Sequence, residues 1–205
     1  NNIFPVYSWW KYNTETGDYR FGRDLKVRQA FDLLQDAATQ ADPTEAMRQT
    51  LWMADSPGVF ARLNFYWQIA LSSADLPHIG DGGWEVISLM YIHDRLFSKA
   101  MGSITDWESE KTRLGFGSYT QAEAKSIDGN DFMLVSMSFI TGRDQRPFFD
   151  MWGVTYSDLA SDQVVMFGYP PAKEEFWVIP NNAQLIVDPL SNPVPIDGIS
   201  PWPLP

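Results

Sequence analysis

The stretch from Phe60 to Ala74 limits the fold most. Phe60, Leu63, Trp67, Ala70, Leu71 and Ala74 recur at helical spacing, and Phe65, Tyr66 and Ile69 carry the apolar surface round the sides. A helix apolar on most of its circumference has no solvent face, so it belongs in the middle of a bundle. Ser56-Pro57-Gly58 marks its start, and the Pro-containing stretch from Asp75 to Gly80 marks its end.

Other helices can be placed around it. Leu25 to Thr39 carries Leu25, Val27, Phe31 and Leu34 at helical spacing. Asp42-Pro43-Thr44-Glu45 combines a cap, a first-turn proline and an acid three residues on, and predicts a helix to about Ala54. Asp81-Gly82-Gly83 precedes a helix over Trp84 to Ala100, with Val86, Leu89, His93, Leu96, Phe97 and Ala100 on one face. Shorter helices are expected over Ile104–Arg113, from Asp128 through Phe139, over Gln145–Trp152 and over Ser157–Val165. Lys11 to Arg23 is polar and reads as a loop. Ile3 to Trp10 is dense in apolar groups and is expected to be buried.

From Gly168 onward the character changes. Nine prolines between Pro170 and Pro205 exclude long helices, so an extended tail with one short strand at Gln184–Val187 is expected. The chain therefore reads as mainly α: a helical bundle over residues 1–167, with an extended Pro-rich segment over 168–205.

Composition removes several function classes. The net charge of −11 opposes nucleic acid and anionic membrane surfaces, both of which need a basic face. The absence of cysteine excludes disulfides, thiolate metal sites and a cysteine nucleophile, and fits an exported bacterial protein. No apolar run reaches the roughly 18 residues that a membrane helix needs. The chain opens on Asn1-Asn2-Ile3 with neither Met nor a signal peptide, as expected of a mature product or a fragment. Nine Trp, thirteen Phe and eight Tyr call for an aromatic core or an aromatic-lined groove.

Local motifs offer little catalysis. His78 and His93 are the two histidines, and no HExxH pair shares a helical turn, so the chain is not expected to bind a catalytic zinc by itself. His78 falls in a Pro-containing loop, and His93 sits on an apolar stripe as a core histidine would. No GxSxG elbow and no phosphate-binding loop occur, and no motif selects a pair among the 26 acidic residues. Asp128-Gly129-Asn130-Asp131 is the more telling segment. It sets short polar side chains and free backbone N–H groups at a helix start, which serves either as a plain cap or as a site for a carboxylate, carbonyl or sugar hydroxyl.

Five segments in order resemble one family. Asn1-Asn2-Ile3-Phe4-Pro5-Val6-Tyr7 is similar to the stretch that follows the third zinc ligand of enhancin-type, mucinase-like zinc metallopeptidases. Phe60 to Ile69, Gly82-Gly83-Trp84-Glu85-Val86-Ile87, Gly129-Asn130-Asp131-Phe132 with Ser138, and Phe148-Phe149-Asp150-Met151-Trp152-Gly153 resemble successive helices of that family. Within it, the chain looks most like the immunomodulating-metalloprotease and accessory-colonization-factor-D types, over residues 1–167.

The resemblance implies a secreted or surface-exposed enzyme that cleaves mucin-like, O-glycosylated proteins with a zinc-activated water. It makes this chain the C-terminal helical lobe of a zincin-type peptidase, inactive alone. The zinc ligands would lie outside it, and its partners would be the N-terminal catalytic part and the glycoprotein substrate. It points to Trp84, Asn130, Asp131, Arg62 and Arg143 as substrate-binding residues. Trp84 would stack on a sugar, Asn130 and Asp131 would bond hydroxyls, and the arginines would hold an acidic sugar or carboxylate. Read from residue type alone, Trp84 serves bundle packing equally well and Arg62 an internal ion pair. The alternative functions are a stand-alone helical glycan- or protein-binding module, and a small hydrolase with its own carboxylate or serine chemistry.

Overall fold

The computed structural model describes residues 3–20, 22, 24–180 and 187–204. It is mainly helical, as expected, and falls into two compact units. One holds residues 1–72, 151–153 and 174–205; the other holds 73–150 and 154–173.

The first unit is built on α1 (Ile3–Thr16), α2 (Val27–Ala38), α3 (Pro43–Met47) and α4 (Val59–Ser72). Nine of the α4 residues are buried, on every side of the helix, as its apolar girth requires. α3 starts as the sequence predicts, with the Asp42 carboxylate accepting the Glu45 N–H at 3.0 Å. It does not continue as an α-helix to Ala54, but widens into a π-helical stretch over Arg48–Met53. α2 starts at Val27, two residues later than expected. Lys26 takes a left-handed conformation there (φ 56°), held by its N–H on Asp24 Oδ1 and its Nζ on Asp24 Oδ2, both at 2.8 Å.

Two expectations for the N-terminus need correction. The helix runs through Lys11 to Thr16 rather than giving way to a loop: Thr14, Glu15 and Thr16 face outward, Asn13 is buried, and Lys11 and Glu15 pair across one turn at 3.6 Å. It ends where Gly17 turns left-handed (φ 67°) and donates to Asn13 O at 2.9 Å. The apolar start is also only partly buried. Ile3 and Val6 are covered, whereas Phe4 is 47% exposed.

The proline-rich stretch packs within this same unit. β1 (Glu175–Phe176) pairs antiparallel with β2 (Val194–Pro195). Proline denies the segment a longer ladder, so glutamine side chains take over its backbone groups. Gln68 on α4 donates to Trp177 O at 2.8 Å and accepts the Trp177 N–H at 2.6 Å. Gln35 on α2 donates to Pro195 O and Ser200 O, and accepts the N–H groups of Asp197 and Gly198. Phe31 packs edge-on against Phe176 and Trp202, at 5.6 and 5.2 Å between ring centres. Residues 184–186 of the expected strand lie outside the described residues.

The second unit contains a 3-10 turn (Asp81–Gly83), α5 (Glu85–Ala100), α6 (Ile104–Glu110), α7 (Gln121–Lys125), α8 (Gly129–Thr141), α9 (Arg146–Met151, whose last residue belongs to the first unit) and α10 (Asp158–Phe167). α5 and α8 run in opposite directions. His93 lies within 6.2 Å of both Phe132 and Phe139 between ring centres, and Phe97, one turn on, lies 5.1 Å from Phe132. The core is aromatic: Phe116 packs on Phe97, Tyr119 and Phe132, and Trp107 donates to Tyr119 O at 3.0 Å. α7 was not anticipated, although Thr120 and Glu123 form a reciprocal capping box in front of it. No described helix is long and apolar enough to cross a membrane.

Candidate functional site

The start of α8 is built as the sequence suggests. Asp128 Oδ1 accepts the Asn130 N–H at 2.8 Å, which satisfies one of the free donors of the first turn. The same turn is also bound to the start of α10. Asp131 is buried; its Oδ1 accepts the Ser157 N–H at 2.8 Å and its Oδ2 the Ser157 hydroxyl at 2.6 Å. Ser157 Oγ in turn accepts the Ala160 N–H as the α10 cap. Asn130 is half-buried and donates through Nδ2 to Thr155 O at 3.0 Å. Asn130 and Asp131 therefore join two helix N-termini, and Asp131 has both oxygens committed to that work.

Trp84 is 3% exposed, so the ring faces that were to stack on a sugar are covered. It precedes α5 at the end that lies beside the C-terminus of α8, roughly 20 Å along the helix axis from Asn130 and Asp131. Arg143 lies near that same C-terminal end, half-buried, with Nη2 on both oxygens of Asp75 at 2.8 and 2.9 Å. Arg62 belongs to the first unit and forms no acid pair among the described residues. Its Nε donates to Leu51 O at 2.7 Å and its Nη2 to Ala54 O at 2.8 Å, which caps the carbonyls where the π-helical stretch ends. The four candidate residues that lie in the second unit form no single constellation. Asn130 sits with Asp131, Arg143 lies at the other end of α8, and Trp84 and Arg62 serve packing and backbone capping.

Neither histidine joins a metal set. His78 is exposed, with Nε2 2.9 Å from Ile140 O. His93 is buried among Phe116, Phe132 and Phe139, with Nε2 2.9 Å from Leu114 O. Burial lowers its pKa and keeps the ring neutral, so Nε2 donates. Among the described residues, no three His, Asp or Glu side chains gather closely enough to hold a metal ion. A zinc ion does not fit the described residues of this chain.

One polar cluster escaped the sequence reading. Tyr156 donates to Asp150 Oδ1 at 2.9 Å, and burial raises the Asp150 pKa. Arg146 grips Asp144 at 2.6 Å and donates to Ser161 Oγ at 3.2 Å. Two acids and a base interleaved with Phe148, Phe149 and Trp152 were the available signal.

No family model matches the chain. The immunomodulating metalloprotease of Pseudomonas aeruginosa is 34% identical to it over 186 residues, which cover 86% of this chain and 19% of that protein. The solved IMPa metallopeptidase from Pseudomonas aeruginosa superposes with a TM-score of 0.73 at 33% identity, over 86% of this chain and 20% of its own. IMPa in complex with T-antigen gives 0.77, and IMPa from Pseudomonas aeruginosa in complex with an O-glycopeptide gives 0.79. Both are 31% identical and cover 99% of this chain and 23% of theirs. The chain spans about a fifth of the length of these relatives. Over that shared segment, sequence and fold agree: the chain is a homologue of the immunomodulating metalloproteases, the family its ordered motifs resemble.

Proposed function

We propose that this chain is a helical segment of a larger zinc metallopeptidase, secreted or displayed at a bacterial surface, which cleaves mucin-like O-glycosylated proteins. The segment would form one wall of the substrate cleft. The carrying observation is the match, across 99% of the chain at a TM-score of 0.79, to a relative solved with an O-glycopeptide. In this reading the zinc is bound by residues outside the described set. Asn130 and Arg143, which keep part of their surface, are the side chains available to a glycan hydroxyl or a carboxylate. Asp131 holds the start of α8, and with it Asn130, to the start of α10. Export is supported by the family likeness and by the absence of cysteine.

The test compares residues 1–205 with the larger polypeptide. The isolated chain is expected to bind a T-antigen O-glycopeptide weakly, at millimolar strength by NMR titration. It is expected to leave the peptide intact with zinc added, whereas the larger polypeptide cleaves it and loses the activity to a chelator. Tight, metal-independent binding by the isolated chain would favour the stand-alone binding module. Cleavage by the isolated chain that survives chelation would favour the small hydrolase.

A further inference from the structure

α5 buries one face against the aromatic core through Val86, Ile87, His93, Phe97 and Ala100. Beside that face, Leu89, Ile92 and Leu96 form a second apolar stripe with 3-4 spacing. Ile92 is 50% exposed and Leu96 37%. Such spacing on a helix is a seam for another apolar surface. Its size and charge narrow the choice of what covers it. From Leu89 to Leu96 the stripe runs only about 10 Å along the axis. Three side chains fall far short of the roughly 800 Å² per partner that a stable bimolecular interface buries. A second copy would also bring another net charge of −11 against the first. A contact this small persists when both surfaces share one polypeptide, because the effective concentration is then of order millimolar. The relatives, about five times longer, carry such additional chain.

We propose that the Leu89–Ile92–Leu96 stripe docks an apolar-faced segment of the same polypeptide from outside these 205 residues. The proposal rests on the reading of the chain as part of a larger metallopeptidase. The chain has no cysteine, so single substitutions Ile92→Cys, Leu96→Cys and, off the stripe, Ser98→Cys report accessibility cleanly. Maleimide labelling, read by peptide mass mapping, is compared between residues 1–205 and the larger polypeptide. In the isolated chain all three are expected to label at similar rates. In the larger polypeptide Ile92→Cys and Leu96→Cys should slow at least tenfold while Ser98→Cys does not. Unchanged labelling of the stripe in an active larger protease overturns the docking and leaves the peptidase reading intact. Concentration-dependent protection in the isolated chain, with a doubled mass in sedimentation, overturns it in favour of a second copy. An intact mass showing that the native polypeptide ends within these residues removes the peptidase reading and the docking together.

Discussion

Both carboxylate oxygens of Asp131 are bonded to Ser157, and Ser157 caps α10. Asp131→Ala would leave a part-buried N–H without its acceptor and is expected to lose about 1–3 kcal/mol in urea denaturation. Asp131→Asn keeps one acceptor oxygen and should lose less. An unchanged midpoint for Asp131→Ala would show that the residue is free for ligand rather than committed to the fold. His93 gives a pH signature. Its folded pKa lies below the ordinary 6.5 because burial disfavours the imidazolium. Above pH 6.5 both states are neutral, so His93 adds no pH dependence there. As pH falls below 6.5 the unfolded chain takes up the proton first, and stability drops until the folded pKa is reached. The slope in that window reaches up to about 1.4 kcal/mol per pH unit. His93→Gln can still donate to Leu114 O and should flatten the melting-temperature profile between pH 5 and 7. A variant profile as steep as the parent's would assign the acid sensitivity to other groups.

At the scale of elements, the close approach at Gly153 does most to fix the first unit. Gly153 has a φ of 67°, and a Cβ there would lie 2.4 Å from Arg48 N and 2.8 Å from Met47 C. These are backbone atoms at the junction of α3 and its π-helical extension, so they cannot rotate away. Trp52 Nε1 on Trp152 O at 2.7 Å holds the same junction from the other side. Gly153→Ala is expected to cost at least about 3 kcal/mol, from overpacking and left-handed strain together, read as a fall in denaturation midpoint. Gly129→Ala, with nothing within 4 Å of its Cβ, is the control that should stay within about 0.5 kcal/mol. Such elements also show how far sequence reading reaches. α3, α8 and α10 were legible because their starts carry local caps at Asp42, Asp128 and Ser157. α7 carried an equally local signal in Thr120 and Glu123 that went unread. The π-helical widening after Met47 was not legible, because Trp152 and Gly153, which pack on it, lie about a hundred residues away in sequence. The same holds for Gln35 and Gln68, whose bonds to the proline-rich stretch reach across more than a hundred residues. At the candidate site, Asn130 and Asp131 were located by their cap. The 3% exposure of Trp84 was not legible, because tertiary packing, not a place at a helix start, decides whether an indole is covered.

Across the whole molecule, charge is the property that local structure does not neutralise. Twenty-six acidic groups face fifteen cationic ones. Most of the ion pairs among the described residues join groups two to four positions apart, such as Arg28 with Asp32 and Arg48 with Glu45. Such exposed pairs contribute about 0–1 kcal/mol each and form readily in the unfolded chain as well. Arg143 with Asp75 spans a longer distance, but the Asp75 side chain is 73% exposed. The long-range balance is therefore repulsion among surplus carboxylates, which opposes the compact state and is screened once the Debye length falls below their spacing. Raising potassium chloride from about 0.02 to 0.5 M shortens that length several-fold. The melting temperature at pH 7 should rise by a few degrees, with most of the gain below about 0.15 M. Chloride is the anion to use, since sulfate would strengthen apolar burial by exclusion and imitate the effect. A melting temperature that falls with salt would mean that attractive pairs outweigh the repulsion. Neutralising surface carboxylates would then lower stability rather than raise it.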